Sequence, residues 1–299
     1  MLDYIVTTNS ICKAYGNRTA VNNISIHVKK GAIYGLIGRN GAGKTTLMKL
    51  LLGLTKPDNG EIIFDGYSDL NKARRNTGSL IEAPALYKNE TALENMKRFS
   101  LLTKSSDNEI KEILSLVGLD NTGKKAAGSF SLGMKQRLGI AIAMLGNPNL
   151  LILDEPINGL DPAGIKDIRD TIVTLNKKGV TFIISSHLLD ELGKIATDYG
   201  IINNAELVEE ISSNELNKRC CTSLTIKTNS NKNATNILLE NYPELKNNIT
   251  YTYDGITITC DNPQSALYNK TIINNNIDIY ETYFNHLGFE DFFIEKIGH

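Results

Sequence analysis

Residues 35–54 read GLIGRNGAGKTTLMKLLLGL, and their pattern sets the class of the fold. A β-rich run ends at Gly38, and the spacing G-x-x-x-x-G-K-T leads at once into a helical pattern. Glycines let the backbone curl so that successive N–H groups point inward, and the start of the helix adds positive partial charge. Lys44 can then reach terminal phosphates, and Thr45 can ligate magnesium. A simple glycine-rich turn would not explain the lysine and the two threonines. The predicted phosphate-binding loop comprises Gly38, Arg39, Asn40, Gly41, Ala42, Gly43, Lys44, Thr45 and Thr46.

A second stretch, NLLILDEPINGLDP at residues 149–162, places two acids after an apolar run. The run suits a buried parallel strand, and ligands of such sheets bind at the carboxyl ends of the strands. Two acids could simply terminate the strand. Together with the phosphate-binding loop, the pattern predicts that Asp154 holds Mg²⁺, largely through water, and that Glu155 polarises an attacking water.

Composition narrows the class of protein. The chain has 299 residues, 41% of them hydrophobic, with 32 basic and 33 acidic residues. This balance provides no global field that would draw the chain to nucleic acid or anionic lipid. No apolar run approaches the roughly 18 residues that span a bilayer, and the first ten residues lack the layout of a signal peptide. We therefore expect a cytoplasmic protein. The four cysteines have neither metal nor disulfide-framework spacing, which predicts reduced thiols.

The pattern of apolar and polar residues changes once along the chain. Up to about residue 210, β-rich runs such as GAIYGLIG, LLILDEP and VTFIISSH alternate with helical patterns, which indicates an α/β domain with a mainly parallel sheet. Residues 88–130 have helical patterning and predict a helical insertion. The later sequence predicts a small α+β domain, with a hairpin at ITYTYDGITITC turning at Asp254-Gly255 and a final helix over 279–297. The predicted domains are 1–215 and 216–299, with a helical subdomain at about 88–145.

The stretch SFSLGMKQRLGIAIAML at residues 129–145 carries a family resemblance. It resembles the LSGGQ signature of ATP-binding cassette (ABC) transporter subunits, and the likeness extends over about residues 3–215. Ser131 and Gly133 match the motif, whereas Leu132 and Met134 depart from it. The resemblance implies a P-loop ABC ATPase fold, with a RecA-like parallel sheet core, an antiparallel β subdomain and a helical subdomain. It also implies ATP and Mg²⁺ as cofactors. A second ATP-binding subunit would complete a head-to-tail dimer, in which Ser131 at a helix N-terminus caps the γ-phosphate bound by the other subunit.

Three further residues take roles from this resemblance. Tyr15 matches the aromatic residue that stacks on adenine, although a tyrosine at a strand end is more often half-buried packing. Asp161, in GLDP, matches the D-loop and would lie at the dimer interface. His187 follows an apolar strand and precedes a helix, like the family's switch histidine, which hydrogen-bonds the γ-phosphate and helps to position water. A lone histidine is otherwise more often structural.

Glu82 lies in TGSLIEAPALY, residues 77–87, where most ABC ATPases have the glutamine of the Q-loop. An isolated glutamate after an apolar run is more often a solvated edge charge. In the family, this position touches magnesium and the attacking water, and its loop meets the membrane subunit. A glutamate keeps an oxygen ligand and adds a negative charge. With a glutamate in this sequence context, the chain resembles the ATPases of lantibiotic self-protection transporters (the LanF type) and of bacitracin-resistance transporters (the BcrA type).

These resemblances imply an ATP-hydrolysing subunit that drives export or membrane clearance of an antimicrobial peptide. Transmembrane permease subunits would hold this ATPase subunit on the inner face of the cell membrane. We expect no nucleic-acid partner. The alternatives are the ATPase of an unrelated exporter, a soluble ABC protein acting on ribosomes or DNA, and a regulatory nucleotide-binding module without turnover. Ribosome- or DNA-directed ABC proteins commonly carry two cassettes or long coiled-coil insertions, and the sequence has neither.

Overall fold

A computed structural model describes residues 3–67, 69–259, 264–286 and 289–297. The strands are β1 Tyr4–Tyr15, β2 Arg18–Ile24, β3 His27–Lys29, β4 Ile33–Gly38, β5 Asn59–Phe64, β6 Thr77–Leu80, β7 Leu150–Asp154, β8 Thr181–Ser186, β9 Asp198–Asn203, β10 Glu206–Ser212, β11 Cys221–Thr228, β12 Ile249–Thr252, β13 Gly255–Ile258 and β14 Ile279–His286. The α-helices are α1 Lys44–Leu51, α2 Leu70–Arg75, α3 Ala92–Thr103, α4 Asp107–Leu116, α5 Leu132–Ala143, α6 Pro162–Lys177, α7 Leu189–Gly193, α8 Ser213–Cys220, α9 Asn231–Asn241, α10 Ser265–Asn274 and α11 Phe289–Ile297.

The central sheet has six strands in the order β10-β9-β4-β8-β7-β6. Its neighbouring strands are parallel except for the edge strand β10, which pairs antiparallel with β9. Every residue of β4, β7 and β8 is buried, which explains why these strands are nearly continuous apolar runs in the sequence. The three strands predicted from those runs are confirmed. Their carboxyl ends lie side by side, at Gly38, Asp154 and Ser186.

A second, antiparallel sheet is built around the long strand β1, which pairs with β2, β3 and β5. Its apolar side chains, among them Val6, Ile24 and Ile62, belong to the same buried core as Leu47 and Leu51 of α1. A two-residue turn joins β1 to β2, and Tyr15 pairs directly with Arg18 across it. These contacts fix the β1–β2 hairpin relative to the helix that follows the phosphate-binding loop.

The predicted helical insertion is confirmed by α3 and α4, which pack with α5 around a separate apolar core. Met96, Ile113 and Leu138 represent the three helices in this core. At the start of α3 the Thr91 hydroxyl accepts from the Glu94 N–H, while the Glu94 carboxylate accepts from the Thr91 N–H. This reciprocal capping satisfies two backbone donors and fixes where the helix begins.

The chain divides into two compact units, residues 1–212 and 213–299. The predicted boundary after residue 215 falls inside α8. In the second unit, β11, α9, β12, β13, α10 and β14 follow one another, and the antiparallel strands lie in the order β12-β13-β11-β14. This connectivity is that of the split βαβ, or ferredoxin-like, motif. Leu224, Ile226, Leu238, Ile256 and Ile272 are fully buried in its core.

Two local predictions for the second unit were wrong. Thr252 pairs with Gly255, so the hairpin turns at Tyr253 and Asp254 rather than at Asp254-Gly255. Gly255 instead begins β13 with φ +156°, which side-chain-bearing residues rarely adopt. The expected helix over 279–297 is replaced by β14 and the shorter α11. Residues 279–286 are rich in β-branched and aromatic side chains, and they form a strand because β11 provides a pairing edge.

The structure describes the thiols of two of the four cysteines. Cys12 and Cys220 are free. Cys260 and the side chain of Cys221 lie outside the described part of the structure.

Because each unit has its own buried core, we expect a chain ending at residue 212 to fold alone and to keep whatever nucleotide affinity the full chain has. Circular dichroism melting and titration with a fluorescent ATP analogue measure both properties against the full-length chain. A 1–212 protein that is soluble and cooperatively folded but has lost nucleotide binding would contradict the independence of the first unit.

Candidate functional site

The phosphate-binding loop joins the end of β4 to the start of α1, and its glycines are required by the backbone geometry. Gly41 and Gly43 have φ of +81° and +114°. A Cβ at Gly43 would lie 2.3 Å from the Ala20 carbonyl oxygen, and a Cβ at Gly38 would lie 2.4 Å from that of Ile202. Among the described residues no side chain caps the N-terminus of α1. The first N–H groups of the helix are therefore available to an anion.

Lys44, the first residue of α1, is buried inside the curve of this loop. Its Nζ donates to the Gly38 carbonyl oxygen at 2.7 Å and to that of Arg39 at 3.3 Å. It also lies 3.9 Å from Glu155 Oε1. Burial lowers the pKa of the Lys44 ammonium, and the nearby Glu155 and Asp154 carboxylates oppose that shift. The cation is thus held at the loop by carbonyl dipoles and two acids.

The Asp154 carboxylate at the end of β7 connects three elements of the sheet domain. Thr45 of α1 donates its hydroxyl to Oδ2 at 2.8 Å, and Ser185 of β8 donates its hydroxyl to Oδ1 at 2.5 Å. Asp154 and Ser185 are both buried. Since Mg²⁺ prefers carboxylate, hydroxyl and phosphate oxygens, the paired oxygens of Thr45 and Asp154 fit this ion beside a phosphate group. The described residues contain no cluster of three His, Cys, Asp or Glu side chains that could hold a metal.

Glu155 follows the strand with a left-handed backbone at φ +50°. Its N–H donates to the Ser185 hydroxyl at 2.9 Å, which helps to hold this unfavourable conformation. Its Oε2 lies 2.7 Å from Nδ1 of His187, the residue that directly follows β8. With an ionised carboxylate, the imidazole Nδ1 carries the proton and donates it in this hydrogen bond. The pair can accept a proton from a water through Glu155 and can orient that water through His187.

A cleft of about 410 Å³ lies at the phosphate-binding loop, and Ser185 and His187 are not part of its lining. Its lining comprises Tyr15, Arg18, Ala20, Asn40, Gly41, Gly43, Lys44, Thr45, Thr46, Asp154 and Glu155. An exposed aromatic ring at one end and the phosphate-binding loop at the other fit a purine nucleotide. Gly38, Arg39 and Ala42 belong to the backbone of the same loop.

Sequence reasoning missed three residues of this site: Arg18, Ala20 and Ser185. The first could have been found in the segment YGNR, because a two-residue turn at Gly16-Asn17 makes Tyr15 and Arg18 cross-strand partners. Ser185 is a polar residue in a strand whose every position is buried, and a buried hydroxyl requires a hydrogen-bond partner.

Ser131, Gly133 and Asp161 lie outside the lining of the cleft. Ser131 is the N-cap of α5, where its hydroxyl accepts from the Met134 N–H at 3.2 Å. Asp161 caps α6 in the same way through the Gly164 N–H at 3.1 Å. Gly133 lies in the first turn of α5, near Leu160 and Gly164. The structure therefore places all three at two neighbouring helix starts rather than around the phosphate-binding loop.

Glu82 is also not brought into the lining of the cleft. It lies two residues after β6 with φ +63°, and its side chain is 68% exposed. Its Oε1 is 2.9 Å from Nζ of Lys49, which is on α1. This hydrogen bond is the largest factor that raises the pKa of the Lys49 ammonium. Glu82 is thus tied to the helix that carries Thr45, but not to Thr45 or Asp154.

Within the described ranges no helix has both the length and the apolar character needed to cross a bilayer.

Comparison with known proteins places these features in a family. The family model described as ABC transporter matches residues 21–158. The chain is 40% identical to the bacitracin transport ATP-binding protein BcrA of Bacillus licheniformis, over 98% of this chain and 97% of that protein. It is 47% identical to the lantibiotic transport ATP-binding protein SrtF of Streptococcus pyogenes, over 66% of this chain and 86% of that one.

Solved structures agree with these sequence matches. The ADP conformation of an ATP-binding cassette of an ABC transporter superposes with a TM-score of 0.65 at 26% identity, covering 71% of this chain and 92% of that one. The predicted ABC ATPase fold is confirmed, and so is the narrower likeness to bacitracin and lantibiotic transport ATPases. The chain belongs to the family of ABC transporter ATP-binding proteins.

Proposed function

We propose that this chain hydrolyses ATP to drive a transporter that removes an antimicrobial peptide from the cell membrane. One observation supports ATP hydrolysis most strongly. Lys44, Thr45 and Asp154 lie close to the Glu155–His187 pair, at the carboxyl ends of β4, β7 and β8. A cation, two metal-ligand oxygens and a base oriented by an imidazole are the groups that phosphoryl transfer to water requires.

ATP enters the cleft with its base toward Tyr15 and its phosphates in the loop. The exposed ring of Tyr15 stacks on adenine. Arg18 is the cross-strand partner of Tyr15, and its guanidinium lies 3.2 Å from the position that a Cβ of Gly41 would occupy. The N–H groups at the start of α1 and the Lys44 ammonium bind the terminal phosphates. Binding is thereby shared between an aromatic contact and a fixed arrangement of donors.

The side chains at the ends of β7 and β8 carry out the chemical step. Thr45 and Asp154 would hold Mg²⁺, which would neutralise charge on the phosphate oxygens. Glu155 accepts the proton of the attacking water, while His187 keeps the Glu155 carboxylate in place through Nδ1. Ser185 fixes both acids at once, because its hydroxyl accepts from the Glu155 N–H and donates to Asp154.

Hydrolysis requires a second ATP-binding subunit in head-to-tail arrangement. The N-terminus of α5, capped by Ser131, offers partial positive charge to a γ-phosphate held in the opposite subunit. Leu132 beside it is 46% exposed on the free chain, as expected for a residue that a partner covers. Gly133 and Asp161 lie at the same surface and complete the proposed interface.

Transport requires transmembrane permease subunits, which hold the chain on the inner face of the membrane. Support for a peptide substrate comes from the names of the relatives, which transport bacitracin and a lantibiotic. Glu82 also supports a peptide substrate, because most ABC ATPases have a glutamine at this position of the loop. We assign Glu82 two tasks: an oxygen ligand for the metal during turnover and part of the contact with the permease.

Replacing Glu155 by Gln should abolish turnover while leaving ATP binding intact. The amide keeps the size and hydrogen bonding of the side chain but cannot accept the proton of water, so we expect phosphate release to fall by about 10²–10⁴-fold. ATP should then trap a dimer, visible by size-exclusion chromatography. Glu112→Gln, on the exposed side of α4, is the matched control and should remain active. Parental hydrolysis by Glu155→Gln would refute the assigned base, and a strictly monomeric ATP-bound variant would refute the dimer.

Substitutions at Glu82 separate hydrolysis from transport. Glu82→Gln keeps an oxygen and should retain substantial ATPase activity, whereas Glu82→Ala removes the oxygen and should lower metal-dependent activity by about tenfold or more. In cells that express the chain with its permease subunits, both variants should reduce protection against bacitracin or a lantibiotic. The control is Glu61→Gln, an exposed glutamate of β5. Parental ATPase activity and parental protection with Glu82→Ala would mean that Glu82 is only a solvated edge charge.

A further inference from the structure

The contact between Glu82 and Lys49 is not explained by the roles assigned so far. Lys49 lies four residues after Thr45 on α1, so the two side chains are on the same helix face. Cβ atoms at this spacing are about 5–6 Å apart. The Glu82 carboxylate, 2.9 Å from Lys49 Nζ, is therefore tied to the helix face that carries Thr45, whose hydroxyl bonds Asp154.

Each side chain of this ion pair is free to leave the other. The side chains of Lys49 and Glu82 are 36% and 68% exposed, so neither is locked by packing. Ion pairs of this exposure are weak. The backbone of Glu82, in contrast, has a left-handed conformation at φ +63°, which favours only a few residue types and persists only where surrounding contacts determine it. A constrained backbone with an exposed, weakly paired carboxylate suits a side chain that alternates between two cations.

We propose that Lys49 is the positioning residue of Glu82: it holds the carboxylate on the face of α1 that carries Thr45 and competes with the divalent cation for it. The inference rests on the proposed function, because the second cation is the metal that accompanies ATP. Entry of the metal then releases Glu82 from Lys49, and the loop after β6 responds to occupancy of the site. Glutamine cannot take part in this exchange, since it has no charge to divide between the two cations.

Mn²⁺ as a probe of the metal site tests the proposal without relying on activity. The dissociation constant of Mn²⁺ is measured by electron paramagnetic resonance on the full chain with a non-hydrolysable ATP analogue at low ionic strength. Lys49→Met removes the competing charge and should tighten Mn²⁺ binding by about 1.4- to fivefold, the range expected for an exposed ion pair. Lys49→Arg keeps the cation and should leave the constant unchanged. Lys111→Met, at an exposed position of α4, controls for the loss of one charge.

The decisive comparison is the same substitution made in the Glu82→Gln chain. Lys49→Met also removes a repulsive charge near the metal, and this effect does not need Glu82. If exchange is correct, the tightening in the Glu82→Gln background is clearly smaller than in the parental chain. Equal factors in the two backgrounds, or no change in the parental one, would overturn the proposal. Failure of the parental chain to bind Mn²⁺ with the nucleotide would instead overturn the proposed function, and the inference with it.

Discussion

The hydrogen bonds at the two oxygens of Asp154 are the constraint on which the site depends. One oxygen accepts from Thr45 of α1 and the other from Ser185 of β8, so a single buried carboxylate fixes the phosphate-binding loop, the acidic strand end and the next strand in one arrangement. Removing either donor would leave a buried carboxylate short of a partner, which costs about 1–3 kcal/mol or more for a charged group. The same Ser185 hydroxyl also accepts from the Glu155 N–H, and the position of the base is thus set by the group that orients the metal ligand.

The molecule stores backbone strain where two acids must face a cation. Glu155 and Glu82 both have left-handed backbones, at φ +50° and +63°, in loops that follow strands of the central sheet. Such conformations cost of order 1–3 kcal/mol and persist only when surrounding contacts determine them. At Glu155 those contacts are buried and the side chain is held by His187. At Glu82 the side chain is exposed and held only by Lys49 among the contacts described, so the first acid is suited to fixed chemistry and the second to movement.

Much of this arrangement could be predicted from the sequence because its causes are local. Apolar runs of five or six residues mark the buried strands, and glycine, lysine and threonine at fixed spacing mark the loop. Arg18 and Ser185 were missed because their importance depends on cross-strand partners, which the turn at Gly16-Asn17 sets for Arg18 and the pairing of β7 with β8 sets for Ser185. The Lys49–Glu82 contact joins residues that are distant in the chain. The final segment was mistaken for one helix because its apolar residues fit both periods, and pairing with β11 decided in favour of a strand. The roles of Ser131, Gly133 and Asp161 stay predictions, because they involve a second subunit and the structure describes a single chain.

Binding of ATP in the cleft between Tyr15 and Lys44, through the loop ahead of α1, underlies every proposed step. Isothermal titration of the purified chain with ATP and Mg²⁺ measures this binding, with Lys44→Ala as the variant and the exposed Lys111→Ala as the control. A hydrogen bond to a charged group is worth about 1.5–3 kcal/mol, so Lys44→Ala should weaken ATP binding by about ten- to a hundredfold. Lys111→Ala should bind as the parental chain does. Equal affinity of the Lys44→Ala and parental chains for ATP would refute ATP binding at this loop.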